Sequence, residues 1–102
     1  MIDTNTEKSI AIESTIEQIA SKYVLTETID TSGTRCPIPL LRAKKALKTL
    51  STGDCLLVLA TDPSAKGDFD AMLRHLTHTL VEYLSVEGEN GRVDCFVIQK
   101  GK

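Results

Sequence analysis

Cys55-Leu56-Leu57-Val58-Leu59-Ala60 is an unbroken apolar run, followed by Thr61-Asp62-Pro63-Ser64 and preceded by Thr52-Gly53-Asp54. A strand with one wet face alternates apolar and polar residues, whereas a run apolar on both pleat faces belongs in the buried middle of a sheet. The segment predicts a central strand, and the rest of the chain has to provide its neighbours and its covers. On the N-terminal side, Pro37 and Pro39 open a helix that reaches about Leu50. Its apolar stripe is Leu40, Ala43, Leu47 and Leu50, while Arg42, Lys45 and Thr49 face away, and Thr52-Gly53-Asp54 stops it. Before it, Val24 to Ile29 reads as a short strand ended by the turn-prone Asp30-Thr31-Ser32-Gly33. On the C-terminal side, Asp62-Pro63-Ser64 starts a second helix along which Phe69, Met72, Leu73, Leu76 and Leu80 keep helical spacing. Two strand-type runs follow, about Val81–Val86 and Arg92–Gln99, joined through Gly88-Glu89-Asn90-Gly91, whose Asn-Gly pair favours a tight hairpin.

The order βαβαββ predicts an α/β (α+β) two-layer sandwich, a four-stranded mixed sheet with two helices on one face. Ahead of it, residues 4–22 form an amphipathic pattern with Ile12, Ile16, Ile19 and Tyr23 on one side, and Thr4 with Glu7 makes a capping box. Residues 1–22 therefore read as an N-terminal helical extension and residues 23–102 as the domain proper. Strand 55–60 still needs a cover on its second face. The isoleucine stripe of the extension, a second copy of the chain, and a partly exposed face are three solutions among which the sequence does not choose.

The 102 residues make a single domain. Aromatic residues are 4% and Trp is absent, which excludes a base-stacking platform of rings interleaved with cations. The net charge of −2 argues against dominant, sequence-independent phosphate binding, and with it against direct tRNA binding as the main activity. No run approaches the 18–20 apolar residues of a membrane span, and Met1–Glu7 has neither the basic nor the apolar region of a signal peptide. The expected location is the cytoplasm, with no direct membrane contact, where the three cysteines stay reduced. Their positions, 36, 55 and 95, have none of the short spacings of a zinc site, so no metal is expected. Charge is distributed unevenly: residues 33–50 carry Arg35, Arg42, Lys44, Lys45 and Lys48 and no acid.

That basic segment contains Arg35-Cys36-Pro37-Ile38-Pro39. Proline is favoured at the first helical position, which would make Cys36 the N-cap, with its sulfur near unpaired backbone N–H groups and the positive end of the helix dipole. With Arg35 adjacent, the expectation is a thiol pKa below its ordinary value and a ready thiolate nucleophile. Pro37 and Pro39 stiffen the turn. Position 39 is proline where a Cys-x-x-Cys motif would place a resolving thiol, and no histidine lies within nine residues. Dithiol redox cycling and papain-like acyl transfer are therefore poorly served. A lone activated thiol suits the acceptance and release of a sulfane sulfur held as a persulfide.

Asp30-Thr31-Ser32-Gly33-Thr34-Arg35-Cys36-Pro37-Ile38-Pro39 resembles the Asp-x-x-Gly-x-x-Cys-Pro-x-Pro signature of the TusA/SirA-like sulfur carrier family. The resemblance continues through Asp62-Pro63, Asp68, His78 and Leu80 to Val97-Ile98-Gln99-Lys100-Gly101. It implies a cytoplasmic βαβαββ sandwich that needs no bound cofactor and transfers sulfur through Cys36, within a motif that includes Gly33, Arg35, Pro37 and Pro39. It also implies a cysteine desulfurase or rhodanese-like donor and a downstream sulfur-acceptor protein, with tRNA 2-thiouridine synthesis the best-known destination. Thr34 stands where the family usually has an aliphatic residue, and the N-terminal 22 residues exceed the usual tail. On this reading Arg42 and Lys45, with Asp62, are candidates for partner docking.

Cys55 and Cys95 read as small core hydrophobes at strand positions. His75 and His78, three apart on the second helix and off its apolar stripe, read as surface residues. Asp62 either caps the helix it precedes or lies beside the Cys36 loop. Two rivals to sulfur transfer stay open from sequence: a regulatory nucleic-acid-binding module using the basic segment, and a thiol-based redox sensor at Cys36.

Overall fold

The apolar run forms the strand it predicts. The computed structural model describes residues 4–88 and 91–101, with side chains from residue 12 onward, and every residue of Cys55–Ala60 is buried in it. The elements are α1 (Thr4–Lys22), β1 (Leu25–Asp30), α2 (Ile38–Thr49), β2 (Cys55–Ala60), α3 (Ala65–Arg74), β3 (Thr79–Gly88) and β4 (Gly91–Gln99). The strand order is β1-β2-β4-β3. β1 runs parallel to β2 (Leu25 beside Cys55, Asp30 beside Leu59), β2 antiparallel to β4 (Cys55 with Gln99, Ala60 with Asp94), and β3 antiparallel to β4. β2 and β4 hold the two central places and carry the fully buried runs, while β1 at the edge alternates half-buried and exposed residues as an edge strand with one wet face should.

Alternate residues of the central strands divide the core in two. Leu56, Val58, Ala60, Phe96 and Ile98 meet Ala43 and Leu47 of α2 and Ala65, Phe69 and Met72 of α3. The Phe69 and Phe96 rings lie 4.6 Å apart with Tyr83 5.2 Å from Phe96, tilted contacts that add to simple area burial. Leu57, Leu59, Cys95 and Val97 point the other way and are covered by α1, where Ile19 is fully buried and Ile12, Ile16 and Tyr23 are partly so. The isoleucine stripe is thus the cover of the second face, and the sheet has helices on both sides. Lys22 Nζ closes the far end of α1 on Glu82 at 3.1 Å, and Tyr23 OH donates to Val81 O at 3.4 Å. At the near end Gly88 lets α1 approach closely: a Cβ there would stand 2.9 Å from both Ile12 Cδ1 and Val93 Cγ2, so those methyls would have to shift. The Thr4–Glu7 capping box falls outside the described side chains.

Three boundaries differ from the sequence reading. α3 stops at Arg74, so His75 is its C-cap and His78 precedes β3 rather than lying on a helix. Leu80 still reaches the core, but from β3 opposite Ile98, where strand pairing satisfies a backbone that a longer helix would have withheld from the sheet. Gly88 pairs directly with Gly91, so the hairpin connection is residues 89–90, outside the described residues, and Gly91 opens β4 at φ +113°. Near this end Asp94 is a buried acid on β4. It accepts from Tyr83 OH at 3.0 Å and lies 3.4 Å from Arg92 Nε, which satisfies a group that would be costly to bury alone. No helix among the described residues is long and apolar enough to cross a membrane.

Candidate functional site

Beyond the C-terminal ends of β1 and β2 the two chain segments stay zipped together. Thr31 is buried, and its N–H and Oγ1 both donate to Leu59 O, at 2.8 and 2.6 Å. Gly33 N–H donates to Thr61 Oγ1 at 2.8 Å, and Gly33 adopts φ +83°, a left-handed value that a side chain would oppose. Cys36 N–H then donates to Asp62 Oδ2 at 2.5 Å. Three rungs, at Thr31, Gly33 and Cys36, carry the parallel pairing past the sheet edge and fix the Cys36 backbone against the 59–62 segment. Thr34 N–H and Oγ1 both donate to Thr31 O, which tightens the turn from inside.

Of the two placements that the sequence left open, Asp62 takes the one beside the Cys36 loop, while the cap residue of α3 is Ser64, with no side-chain cap bond. While Oδ2 holds Cys36, Oδ1 accepts from Ser64 N–H and Ser64 Oγ, each at 3.0 Å, and so shapes the start of α3. These bonds, chiefly those from the Ser64 and Cys36 backbones, hold its carboxyl below the usual range, with a smaller contribution from the Arg35 charge.

The expected helix N-cap is not where the sulfur sits. α2 begins at Ile38 with Pro37 as the cap residue and Pro39 in its first turn, so Cys36 lies one residue outside the helix; the Cys36–Pro37 peptide is cis. Pro37 and Pro39 have no N–H, and Ile38 N–H donates to Arg35 O at 2.9 Å, so residues 37–39 offer the sulfur no free backbone donor. Acids face it instead. The Asp68 carboxylate on α3, as an acceptor for the thiol proton, raises the Cys36 pKa above its ordinary value, with smaller contributions from partial desolvation and the Asp68 and Asp62 charges. This overturns the expectation of a lowered pKa. Arg35 acts on Asp62 rather than on the sulfur.

Cys36 is exposed, whereas Cys55 and Cys95 are buried free thiols. It opens onto a groove of about 400 Å³ between α2 and α3, walled by Leu40, Met72 and Leu76 and edged by Lys44, Asp68 and His75. The other sequence-derived candidates are elsewhere. Arg42 and Lys45 line a separate depression against Glu27 and Ile29 of β1, and Arg42 Nη1 donates to Asp30 O at 2.8 Å. Sequence reasoning thus missed Lys44, Asp68 and His75 at the sulfur. For Lys44 a signal existed, since Leu40 and Lys44 share one face of a helix that starts beside Cys36. Nor is His78 a surface residue: it is half-buried, and its Nδ1 accepts from Gly101 N–H at 3.0 Å.

The model of the TusA sulfurtransferases matches residues 27–100, from within β1 through the Cys36 loop to the residue after β4. The chain belongs to the TusA family. Among its relatives, the sulfur carrier protein TusA of Allochromatium vinosum is 42% identical over 74 residues, 72% of this chain and 92% of that one. A candidate sulfur carrier of Neisseria meningitidis serogroup A is 50% identical over 62 residues, 61% of this chain and 84% of its own. The crystal structure of a SirA-like protein from Desulfitobacterium hafniense matches with TM-score 0.60 and 33% identity, over 76% of this chain and 100% of that chain. As a TusA-family protein the chain is a sulfur carrier, standing between a sulfur donor and a sulfur acceptor.

Proposed function

We propose that this carrier works in the cytoplasm as a persulfide relay with Cys36 as its transferring sulfur. The observation that carries this reading is that one thiol is presented at a hydrogen-bonded loop tip while the other two are sealed in the sheet. The Cys36 sulfur attacks the outer sulfur of a donor persulfide, that of a cysteine desulfurase or rhodanese-like protein. The donor S–S bond breaks, the donor cysteine leaves as a thiolate, and Cys36–S–SH remains; the proton lost from Cys36 passes to Asp68 and on to the leaving thiolate. An acceptor thiol repeats the exchange in the opposite sense, so no oxidant, reductant, metal or cofactor is consumed. The groove beside Cys36 has room for the added sulfur, with apolar walls suited to a polarisable atom and Lys44 at its edge as a counter-charge.

The raised thiol pKa supports a carrier that rests protonated and unreactive, and a cationic partner group near Asp68 and Asp62 offsets that restraint on docking. It argues against a peroxide sensor, which needs a thiol held as thiolate. Arg35 and Lys44 flank the sulfur and guide partner approach, with Arg42 and Lys45 extending the cationic face around α2. The destination favoured by the family likeness is 2-thiolation of tRNA through the acceptor protein. The test is intact mass after incubation with a cysteine desulfurase, a rhodanese-type donor and their sulfur sources. A gain of one sulfur atom, lost in Cys36→Ala, is expected; no gain from either donor, or a gain that persists in Cys36→Ala, refutes the reading.

A further inference from the structure

The groove that starts at Cys36 runs on past Leu76. Lys44 and Leu76 are shared with a second depression of about 300 Å³, bounded by the C-terminal half of α2, the connection before β3 and the segment after β4. Leu47 and Leu76 form its apolar part, Lys44, Lys48, Lys100 and His78 its polar part, and among the described residues no carboxylate lines it.

Two of the four polar groups are held in place. Lys100 Nζ donates to Leu47 O, which leaves two of its three N–H donors for something else. His78 Nδ1 accepts from Gly101 N–H, so in the neutral ring the proton is on Nε2 and the imidazole offers one fixed donor. Burial first, then the Lys100 charge, lower its pKa and keep the ring neutral. Gly101 makes this approach feasible, because a Cβ on it would overlap the Thr77 carbonyl. Lys44 and Lys48, one turn apart on α2, repel each other across the opening, and neither has an ion-pair partner among the described residues. A concave site with three ammonium groups, a fixed N–H and no acid has its electrostatic cost relieved only by an anion.

We propose that this depression binds the terminal phosphate of a small phosphate monoester. The multiple negative charge and three free oxygens of a monoester match the convergent donors, where a carboxylate has one charge and two oxygens. The carbon skeleton of the ligand lies on Leu47 and Leu76, and the volume suits a ligand of nucleotide size or smaller. A phosphodiester backbone, one charge per phosphate along an open strand, has no need of anchored donors in a hollow. The proposal stands on residues distinct from the thiol chemistry, apart from the shared Lys44 and Leu76.

The test is an NMR titration of the full chain at constant ionic strength, with three probes: inorganic phosphate, a nucleoside 5′-monophosphate, and a single-stranded oligonucleotide lacking terminal phosphates. Saturable shifts of the His78 ring and the Lys100 and Gly101 amides are expected with the first two, the nucleotide binding more tightly. Lys48→Gln, a change at an exposed residue away from Cys36, is expected to weaken binding about tenfold without altering the melting curve, and Lys48→Arg to retain it. Non-saturating shifts, or binding indifferent to Lys48→Gln, overturn the proposal. Tighter binding of the oligonucleotide than of the mononucleotide also overturns it, in favour of a phosphodiester surface.

Discussion

Replacing Ile19 by alanine tests the feature that separates this chain from a bare βαβαββ sandwich. Ile19 is 1% exposed and packs with Leu57, Leu59, Cys95 and Val97 of the sheet, and half-buried Ile12 and Ile16 precede it along α1. Truncation removes three buried carbons and leaves a cavity that rigid strands beneath cannot fill, a change that costs about 2–5 kcal/mol in comparable cores. Because α1 can settle a little toward the sheet, the lower half of that range, about 2–3 kcal/mol, is expected. For a domain of this size each kcal/mol corresponds to roughly 4–8 °C, so the melting temperature should fall by about 10–20 °C. Thermal and urea unfolding followed by far-ultraviolet circular dichroism measures it, with Glu17→Ala on the exposed side of the same helix as the control, expected within about 0.5 kcal/mol of the parent. Equal stability of the two variants would refute the packing of α1 on the sheet, and with it the account of how β2 is covered.

Asp68→Asn removes the main group that raises the Cys36 pKa, so the half-maximal pH for alkylation of Cys36 should move down and the rate at neutral pH should rise; an unchanged profile removes Asp68 from the account. Tyr83→Phe deletes the 3.0 Å donor to buried Asp94 while Arg92 stays, and should cost about 1–2 kcal/mol by urea denaturation, with persulfide loading at Cys36 unaffected. Burial pushes the Cys95 thiol up to about 11, whereas the unfolded thiol ionises near pH 8.5. Its contribution is complete below about pH 8.5 and is lost as the pH climbs toward 11, roughly 3 kcal/mol in all. Denaturant midpoints between pH 8 and 10.5 should therefore fall more steeply in the parent than in Cys95→Ala.

What the sequence discloses and what it hides divide along the range of the interactions. The apolar run of β2, the proline-opened α2 and the isoleucine stripe of α1 are local patterns, and each element forms within a residue or two of where its pattern lies. The end of α3 is not local, because Leu80 satisfies helical spacing and a strand opposite Ile98 equally well, and only pairing with β4 decides between them. The thiol was misjudged for the same reason. Arg35 and the helix start are neighbours in sequence, but the groups that govern the sulfur, Asp62 and Asp68, come from a loop and a helix on the far side of β2. Cys36 itself was legible because its motif is contiguous, whereas Lys44 and His75 become part of its surroundings only once α2 and α3 lie side by side.

The position of α1 has a consequence for the stoichiometry of the carrier. Cys55 and Cys95 belong to the core cluster that α1 covers, and the matched SirA-like chain is accounted for by 76% of this one. A protein that moves sulfur one atom at a time is informative to its partners only if a single thiol can be loaded. On the proposed relay through Cys36, closing the sheet over two further thiols lets the chain keep three cysteines and still present a valence of one.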